Sequence, residues 1–255
     1  MVIDALISWF SQQLHFLSNE ALFFVQVIFI AASLLGGMLL GRGALEALVG
    51  LYAAMMNLFV LKEVELFGLT VTPTDAFTIG VVFGVNLIHE LYGYAAAVNA
   101  VWVGFYTTVM MMIFSQIHLA FTAAPCDMCG PSYTVILVSM PRLVTASLIT
   151  YLIVMFLETW WYRYLKSKTW PVIGGQGPHH THHLHLMLRN LVAVAPTQFL
   201  DTLLFSLIGL TGIVHHLPHV ILVSYSMKLL AILLVTPFLL VSKKFYAQHR
   251  HTAAE

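Results

Sequence analysis

The sequence predicts an all-α integral membrane protein, a bundle of about seven transmembrane helices formed by a six-helix core plus one N-terminal helix. Of its 255 residues, 60% are hydrophobic and 9% are charged, and the mean hydropathy is +0.88. A soluble domain of that length needs far more polar surface. The apolar residues fall in runs of membrane-spanning length almost to the C-terminus, and Lys and Arg cluster in alternate connections between the runs.

A hydrocarbon core about 30 Å thick takes about 20 mostly apolar residues per helical crossing. Runs of that kind lie near residues 20–41, 45–67, 75–93, 95–118, 133–161, 190–211 and 219–241. They must be helical, because lipid leaves free backbone groups unsatisfied and the runs lack the short alternation of a membrane barrel.

Residues 1–19, 68–74, 119–132 and 212–218 contain no Lys or Arg, whereas Arg42, Arg163, Lys166, Lys168, Arg189, Lys243, Lys244 and Arg250 mark the alternate connections. The positive-inside rule then puts the N-terminus outside and the C-terminus in the cytoplasm, in the inner (plasma) membrane. Lys62, Arg142 and Lys228 are left within or at the edge of the bilayer. The N-terminus has no basic region ahead of its first apolar run and no small-residue cleavage site, so it is expected to be retained. The simplest division is one transporter-sized membrane domain over residues 1–255. It would have an external segment at 1–19, a His-rich cytoplasmic loop at 162–189 and a cytoplasmic tail at 243–255.

Ionisable groups at membrane depth are costly and face a bundle interior or a wet cavity. In the second run Asn57 is deep, while Lys62, Glu63 and Glu65 approach the outer surface, where they can snorkel and pair. In the third, "VNLIHELYG", Asn86 and Glu90 are spaced i, i+4 on one face. Locally they read as an interhelical hydrogen-bonding pair near a helix end turned by Tyr92 and Gly93, with His89 a packed or interfacial neighbour. In the fifth, Arg142 can hold a carboxylate or carbonyl ligand, or clamp helix ends. Glu158, beside Trp160 and Trp161, reads as an interfacial structural residue.

In the sixth, "PTQFLDTLLF" puts Gln198 and Asp201 at i, i+3 near mid-membrane, where Asp201 has nowhere to snorkel. Pro196 can free a backbone carbonyl there for a ligand. Lys228 lies at similar depth on the seventh run and can pair with Asp201. A ligand role and a structural ion pair are compatible.

Two patterns raise a metal-binding reading. "PHHTHHLH" supplies His179, His180, His182, His183 and His185, and His215, His216 and His219 resemble a second box of a membrane di-iron enzyme. Such boxes must converge on one side of the membrane, and the topology places these two on opposite sides. Cys126 and Cys129 in "CDMC" are compatible with a small disulfide, half a metal site or neither, and read first as a structural loop. No metal or other cofactor is expected. No G-x-x-x-x-G-K motif is present, so any use of ATP would need a partner subunit.

Taken in order, the polar residues resemble the putative vitamin uptake transporter family, whose characterised members are queuosine precursor transporters. Asn57, Lys62 and "LFG" at 66–68 match its first pattern. "NLIHELYG" matches Asp-x-x-x-Glu-x-Tyr-Gly, with Asn86 in place of Asp. "PRLVTASLITY" carries the Pro-Arg, Ala-Ser and Tyr of the fifth helix, with Met155 where Gln is frequent and Glu158 where Asp is usual. "RNLVAVAPTQFLDTLLF" resembles the Arg…Gln-x-x-Asp-Thr-x-x-Phe pattern, and Lys228 with Pro237 resembles the last helix. The resemblance spans residues 40–242.

It implies a non-enzymatic importer of a 7-deazaguanine, either a prequeuosine base or queuine, bound near mid-membrane by Asn57, Asn86, Glu90, Arg142, Gln198, Asp201 and Lys228. A carboxylate at Asp201 or Glu90 accepts from the N–H and amino edge of such a base. Gln198, Asn86 or Lys228 donates to its carbonyl, and Trp102, Phe105 or Tyr106 stacks on it. Proton coupling through Glu90 or Asp201 and simple facilitated passage are both open. The implied partners are a small purine-like molecule and the lipid bilayer, with no nucleic acid, and self-association into a homo-oligomer is open. The alternatives are another vitamin-like or nucleobase substrate and, from a different class, a His-box metalloenzyme.

Overall fold

The computed structural model describes residues 4, 8, 12–173, 179–211 and 217–252. From Asn19 onward the helices of the described residues are α1 (Asn19–Leu40), α2 (Arg42–Leu58), α3 (Asp75–Tyr92), α4 (Tyr94–Leu119), α5 (Gly130–Ile173), α6 (His179–Phe205) and α7 (Leu217–Thr252). A π-helical turn, Ser206–Leu210, continues α6, and a hairpin of β1 (Val64–Leu66) and β2 (Leu69–Val71) separates α2 from α3. Five helices, α1, α4, α5, α6 and α7, contain stretches long and apolar enough to cross a membrane.

α1, α2, α4, α5, α6 and α7 each pack against the next, and α7 returns to α1, so that six helices form a ring. α3 runs through the middle, against α1, α2, α4, α5 and α7. Its sequence explains this position. From Ile79 to Val85 it is apolar or glycine on every side, the pattern of a helix without a solvent face, and every residue from Ile79 to His89 is buried. Gly80 and Gly84, one turn apart, let the ring helices approach closely. A Cβ at Gly80 would meet Ile30 Cγ2 of α1 at 2.5 Å, and one at Gly84 would meet Val49 Cγ2 of α2 at 2.7 Å.

The chain enters and leaves this centre through single-residue corners. Gly41, between α1 and α2, has φ 103°, and Gly93, between α3 and α4, has φ 88° and ψ 178°. The Gly93 backbone is one that essentially only glycine adopts.

Three segments differ from the sequence reading. The second run, read as apolar to residue 67, stops being helical at Leu58. Residues 64–71 fold back through Phe67 (φ 53°) and Gly68 (φ 74°), the two positive-φ positions of a tight hairpin turn. Leu66 and Val71 point inward. An apolar hairpin following a helix has the same mean hydropathy as more helix, so the run length concealed it. α1 anchors the hairpin: Glu20 Oε1 accepts from the Phe67 N–H at 3.0 Å and Asn19 Nδ2 donates to the Glu65 carbonyl at 3.0 Å.

The 162–189 segment is largely helical, because α5 runs on to Ile173 and α6 starts at His179. Residues 174–178 and the side chains of the histidines at 179–185 lie outside the described set, as do His215 and His216. α7 likewise continues through Thr252, into the segment read as a tail.

Prolines lie inside α5, α6 and α7, and a proline within a helix leaves the carbonyl four residues earlier without its helical donor. The Leu137 carbonyl, opposite Pro141, accepts from Gln116 Nε2 of α4 at 3.1 Å. The Val192 carbonyl, opposite Pro196, accepts from Trp161 Nε1 of α5 at 3.4 Å. Neighbouring helices thus satisfy both groups, as the bilayer demands, and the carbonyl freed by Pro196 is occupied by the protein itself.

The close approach of α3 gives a paired expectation for thermal unfolding in detergent. Gly84→Ala overpacks the α2–α3 contact and destabilises by about 1–3 kcal/mol. Gly36→Ala, whose added methyl meets nothing within 4 Å, leaves the midpoint unchanged or slightly raised.

Candidate functional site

At the end of the ring carrying the hairpin, a cavity of about 630 Å³ opens between α2, the hairpin, α3, α5, α6 and α7. Leu61, Glu63, Leu69 and Thr70 on its rim are exposed, so it reaches the surface there. Its inner wall is polar where three helices meet.

Lys228 of α7 is 4% exposed. Its Nζ lies 2.6 Å from Asp201 Oδ2 of α6, donates to Thr202 Oγ1 at 3.1 Å and lies 3.9 Å from Asp75 Oδ1 at the start of α3. Ser224, one turn before Lys228, donates to Asp75 at 2.9 Å. One ammonium thus stands between two carboxylates on different helices.

Beside this triad the cavity wall carries polar atoms with no partner among the described residues. Gln198 is 1% exposed and its Oε1 accepts no hydrogen bond; Thr150 is equally buried and its Oγ1 is also unpaired. Asn57, buried at the end of α2, completes the polar lining and donates through Nδ2 to the Ala53 carbonyl at 2.9 Å. Tyr151 and Phe205 supply aromatic surface, and His219 lies on the wall.

Asn57, Gln198, Asp201 and Lys228 therefore converge on one cavity, and Asn86, Glu90 and Arg142 stand away from it. Asn86 lies deeper along α3, about 16 Å of helical rise beyond Asp75. It donates to Glu158 Oε1 of α5 at 3.0 Å and to Asn190 Oδ1 of α6 at 3.4 Å. Thr197 Oγ1 donates to Glu158 Oε2 at 3.1 Å, and Asn190 Nδ2 donates to Thr236 Oγ1 of α7 at 3.1 Å.

Glu90 is at the far end, where Tyr162 Oη donates to it at 3.1 Å and Lys166 Nζ pairs with it at 3.3 Å. His89 packs between the rings of Tyr94 and Tyr162. Arg142 is exposed and donates to the Thr211 carbonyl at 2.9 Å, clamping α5 to the end of the π-helical turn. Trp102 and Tyr106 are exposed on α4, and Phe105 packs edge-on to Trp102; none of the three lines the cavity.

Sequence reasoning passed over two acidic groups. Asp75 opens a helix, where an acid reads as a cap or dipole partner, and its bond to Ser224 spans 149 positions of sequence. Glu158 lies among tryptophans, which signal an interface, yet it is 1% exposed in the centre of the bundle. Its contact with Asn86 joins two positions that depart from the family patterns quoted above.

In the connection between α4 and α5, Asp127 Oδ1 accepts from the N–H groups of Cys129 and Gly130 at 2.9 and 3.0 Å and so caps the start of α5. Both thiols are exposed and unpaired. Among the described residues no group of three His, Cys, Asp or Glu side chains converges as a metal site would.

A family profile described as "Putative vitamin uptake transporter" matches residues 76–242. The chain is also similar to a protein of Bacillus subtilis (strain 168) named "Probable queuosine precursor transporter". The two are 29% identical over 206 residues, which cover 80% of this chain and 85% of that protein. No solved structure matches.

Because removing one member of a buried ion pair strands the other charge, Lys228→Met is expected to cost about 3–5 kcal/mol in thermal or denaturant unfolding. Lys228→Met combined with Asp201→Asn recovers most of that loss, since Asp75 keeps Ser224 as a donor. Equal stability of the single and double variants would show that the pair does not act as a unit.

Proposed function

Since the chain belongs to the putative vitamin uptake transporter family, a family of transporters and not of enzymes, we propose that it imports a queuosine precursor, a 7-deazaguanine base held in the cavity between α3, α6 and α7. It is a multi-pass protein of the plasma membrane. The observation that carries the proposal is the buried polar wall. A charged triad stands beside unpaired Gln198 Oε1 and Thr150 Oγ1, in a cavity whose volume lies within the range of about 300–1,000 Å³ typical of small-molecule sites.

The chemistry of the base complements that wall. Its ring N–H and exocyclic amino group form a two-donor edge that one carboxylate accepts together, and its carbonyl accepts from an ammonium or amide. Asp201 takes the donor edge. To do so it gives up Lys228, whose Nζ is already 3.9 Å from Asp75. The ammonium moves toward Asp75 and donates to the base carbonyl, so it is not left unpaired at any stage. Tyr151 and Phe205 flank the flat ring.

Passage also needs the rest of the bundle. Beyond the cavity the way is closed first by the Asn86–Glu158–Asn190 network and then by the Glu90–Lys166–Tyr162 contacts. With the hairpin end outside, as the Lys and Arg distribution has it, this is an outward-open arrangement. Release to the cytoplasm requires α5 and α6 to part from α3.

Asp201→Asn is expected to abolish uptake of radiolabelled prequeuosine base into cells while the protein still inserts at wild-type levels. Purified protein titrated in a thermal-shift assay should rise in melting temperature with a prequeuosine base or queuine by more than with guanine. Equal or absent responses to all of them would remove the substrate and leave the fold intact.

A further inference from the structure

The charges buried on the cavity wall do not balance. Among the described residues that line the cavity, Lys228 is the one Lys or Arg, and it faces both Asp75 and Asp201, with Glu63 a further acid on the rim. Lys228 is in contact with Asp201, at 2.6 Å, and stands off from Asp75, at 3.9 Å. Asp75 is 6% exposed, and the described hydrogen-bond donor to its carboxylate is the neutral hydroxyl of Ser224. A buried charge is costly unless it is paired. Two carboxylates against one ammonium therefore leave a surplus of negative charge, centred on Asp75, that a positively charged guest relieves.

The three side chains are also ordered as the groups of the proposed ligand are. Lys228 stands between the two carboxylates. Around the edge of a 7-deazaguanine the N–H and amino donors come first, the ring carbonyl next, and the substituent at position 7 just past the carbonyl. With Asp201 on the donor edge and Lys228 on the carbonyl, Asp75 is next in line for that substituent. It has acceptor capacity to spare, since a carboxylate offers about four lone-pair sites and Ser224 supplies a single hydroxyl. Gln198 Oε1 and Thr150 Oγ1, unpaired among the described residues and each on a side chain 1% exposed, mark the same wall as one built for a polar guest.

We propose that Asp75 is a cation subsite that takes a positively charged amino substituent of the ligand, so that the carrier selects 7-deazaguanines bearing an ammonium beside the ring carbonyl. The assignment rests on the reading of the cavity as a 7-deazaguanine site. An alkyl ammonium is ionised at neutral pH, as the lysine side chain is. Bound at Asp75 it brings the wall to neutrality, with two carboxylates matched by Lys228 and the ligand. A 7-aminomethyl group supplies that charge and its N–H donors. A 7-cyano group turns an acceptor toward a carboxylate and is disfavoured.

The charge is tested in the wild type. Purified full-length protein is titrated with 7-aminomethyl-7-deazaguanine and with its neutral near-isostere, 7-hydroxymethyl-7-deazaguanine, at neutral pH. The aminomethyl base should bind about 10- to 100-fold more tightly, the worth of a charge-assisted hydrogen bond. Equal affinity would mean that something other than the ligand, such as a bound proton, balances the wall, and it overturns the proposal. The position is tested with Asp75→Asn, in which the amide oxygen still accepts from Ser224 and Lys228 keeps Asp201. This variant should lose the preference between the two bases and bind the hydroxymethyl base about as the wild type does. Asp75→Glu, which restores the charge, should recover the preference and serves if Asp75→Asn does not fold, loss of the preference there counting against the charge. A preference that survives in Asp75→Asn overturns the assignment to Asp75. Failure of both bases to bind the wild type removes the substrate reading and the subsite with it, whereas equal binding of both removes the subsite alone.

Discussion

Lipid offers no hydrogen bonds, so a helix bearing Asp75, Asn86, His89 and Glu90 can exist at membrane depth only if other helices surround it. The placement of α3 inside the ring answers that constraint, and much of the structure follows from it. Each polar residue finds its partners on ring helices: Asp75 with Ser224 and Lys228 of α7, Asn86 with Glu158 and Asn190 of α5 and α6, and Glu90 with Tyr162 and Lys166 of α5. Gly80 and Gly84 bring the backbones close enough on the opposite side, toward α1 and α2. Pro141 and Pro196 are tolerated for the same reason, since a neighbouring helix supplies the donor each backbone has lost.

The result is a stack of three polar layers of different character along one axis. The layer at the cavity is charged and open to exchange, because one ammonium has two carboxylates within reach. The middle layer joins three ring helices to α3 around a carboxylate whose described partners are an amide and a hydroxyl. The last layer is an ion pair beside a tyrosine and closes the far end. In a carrier of a polar heterocycle this order lets a ligand meet exchangeable charge first and the sealing contacts last.

Much of this was legible residue by residue. Asp201 and Lys228 are mid-membrane charges of opposite sign on adjacent runs, and their pairing follows from the cost of leaving either alone. Gln198, three residues before Asp201, shares its face by helical geometry. The i, i+4 spacing of Asn86 and Glu90 likewise placed them on one side of α3. Their separate partners were not legible, because a rise of about 6 Å along the axis is enough to put them in different layers. Asp75 and Glu158 were obscured by local context, one by its helix-start position and the other by its tryptophan neighbours.

By itself the sequence determined the solvent, most of the helices and the cast of polar residues, since hydropathy, run length and the cost of buried charge are properties of each segment alone. It also carried the order of motifs that aligns the chain with its family. Only the tertiary structure decided that α3 is the central helix, that the end of the second run is a hairpin roofing a cavity, and that Lys228 faces two carboxylates. The physical reason is that periodicity tells a helix which of its faces is apolar or polar, whereas the neighbour meeting that face is set by packing between segments far apart in the chain.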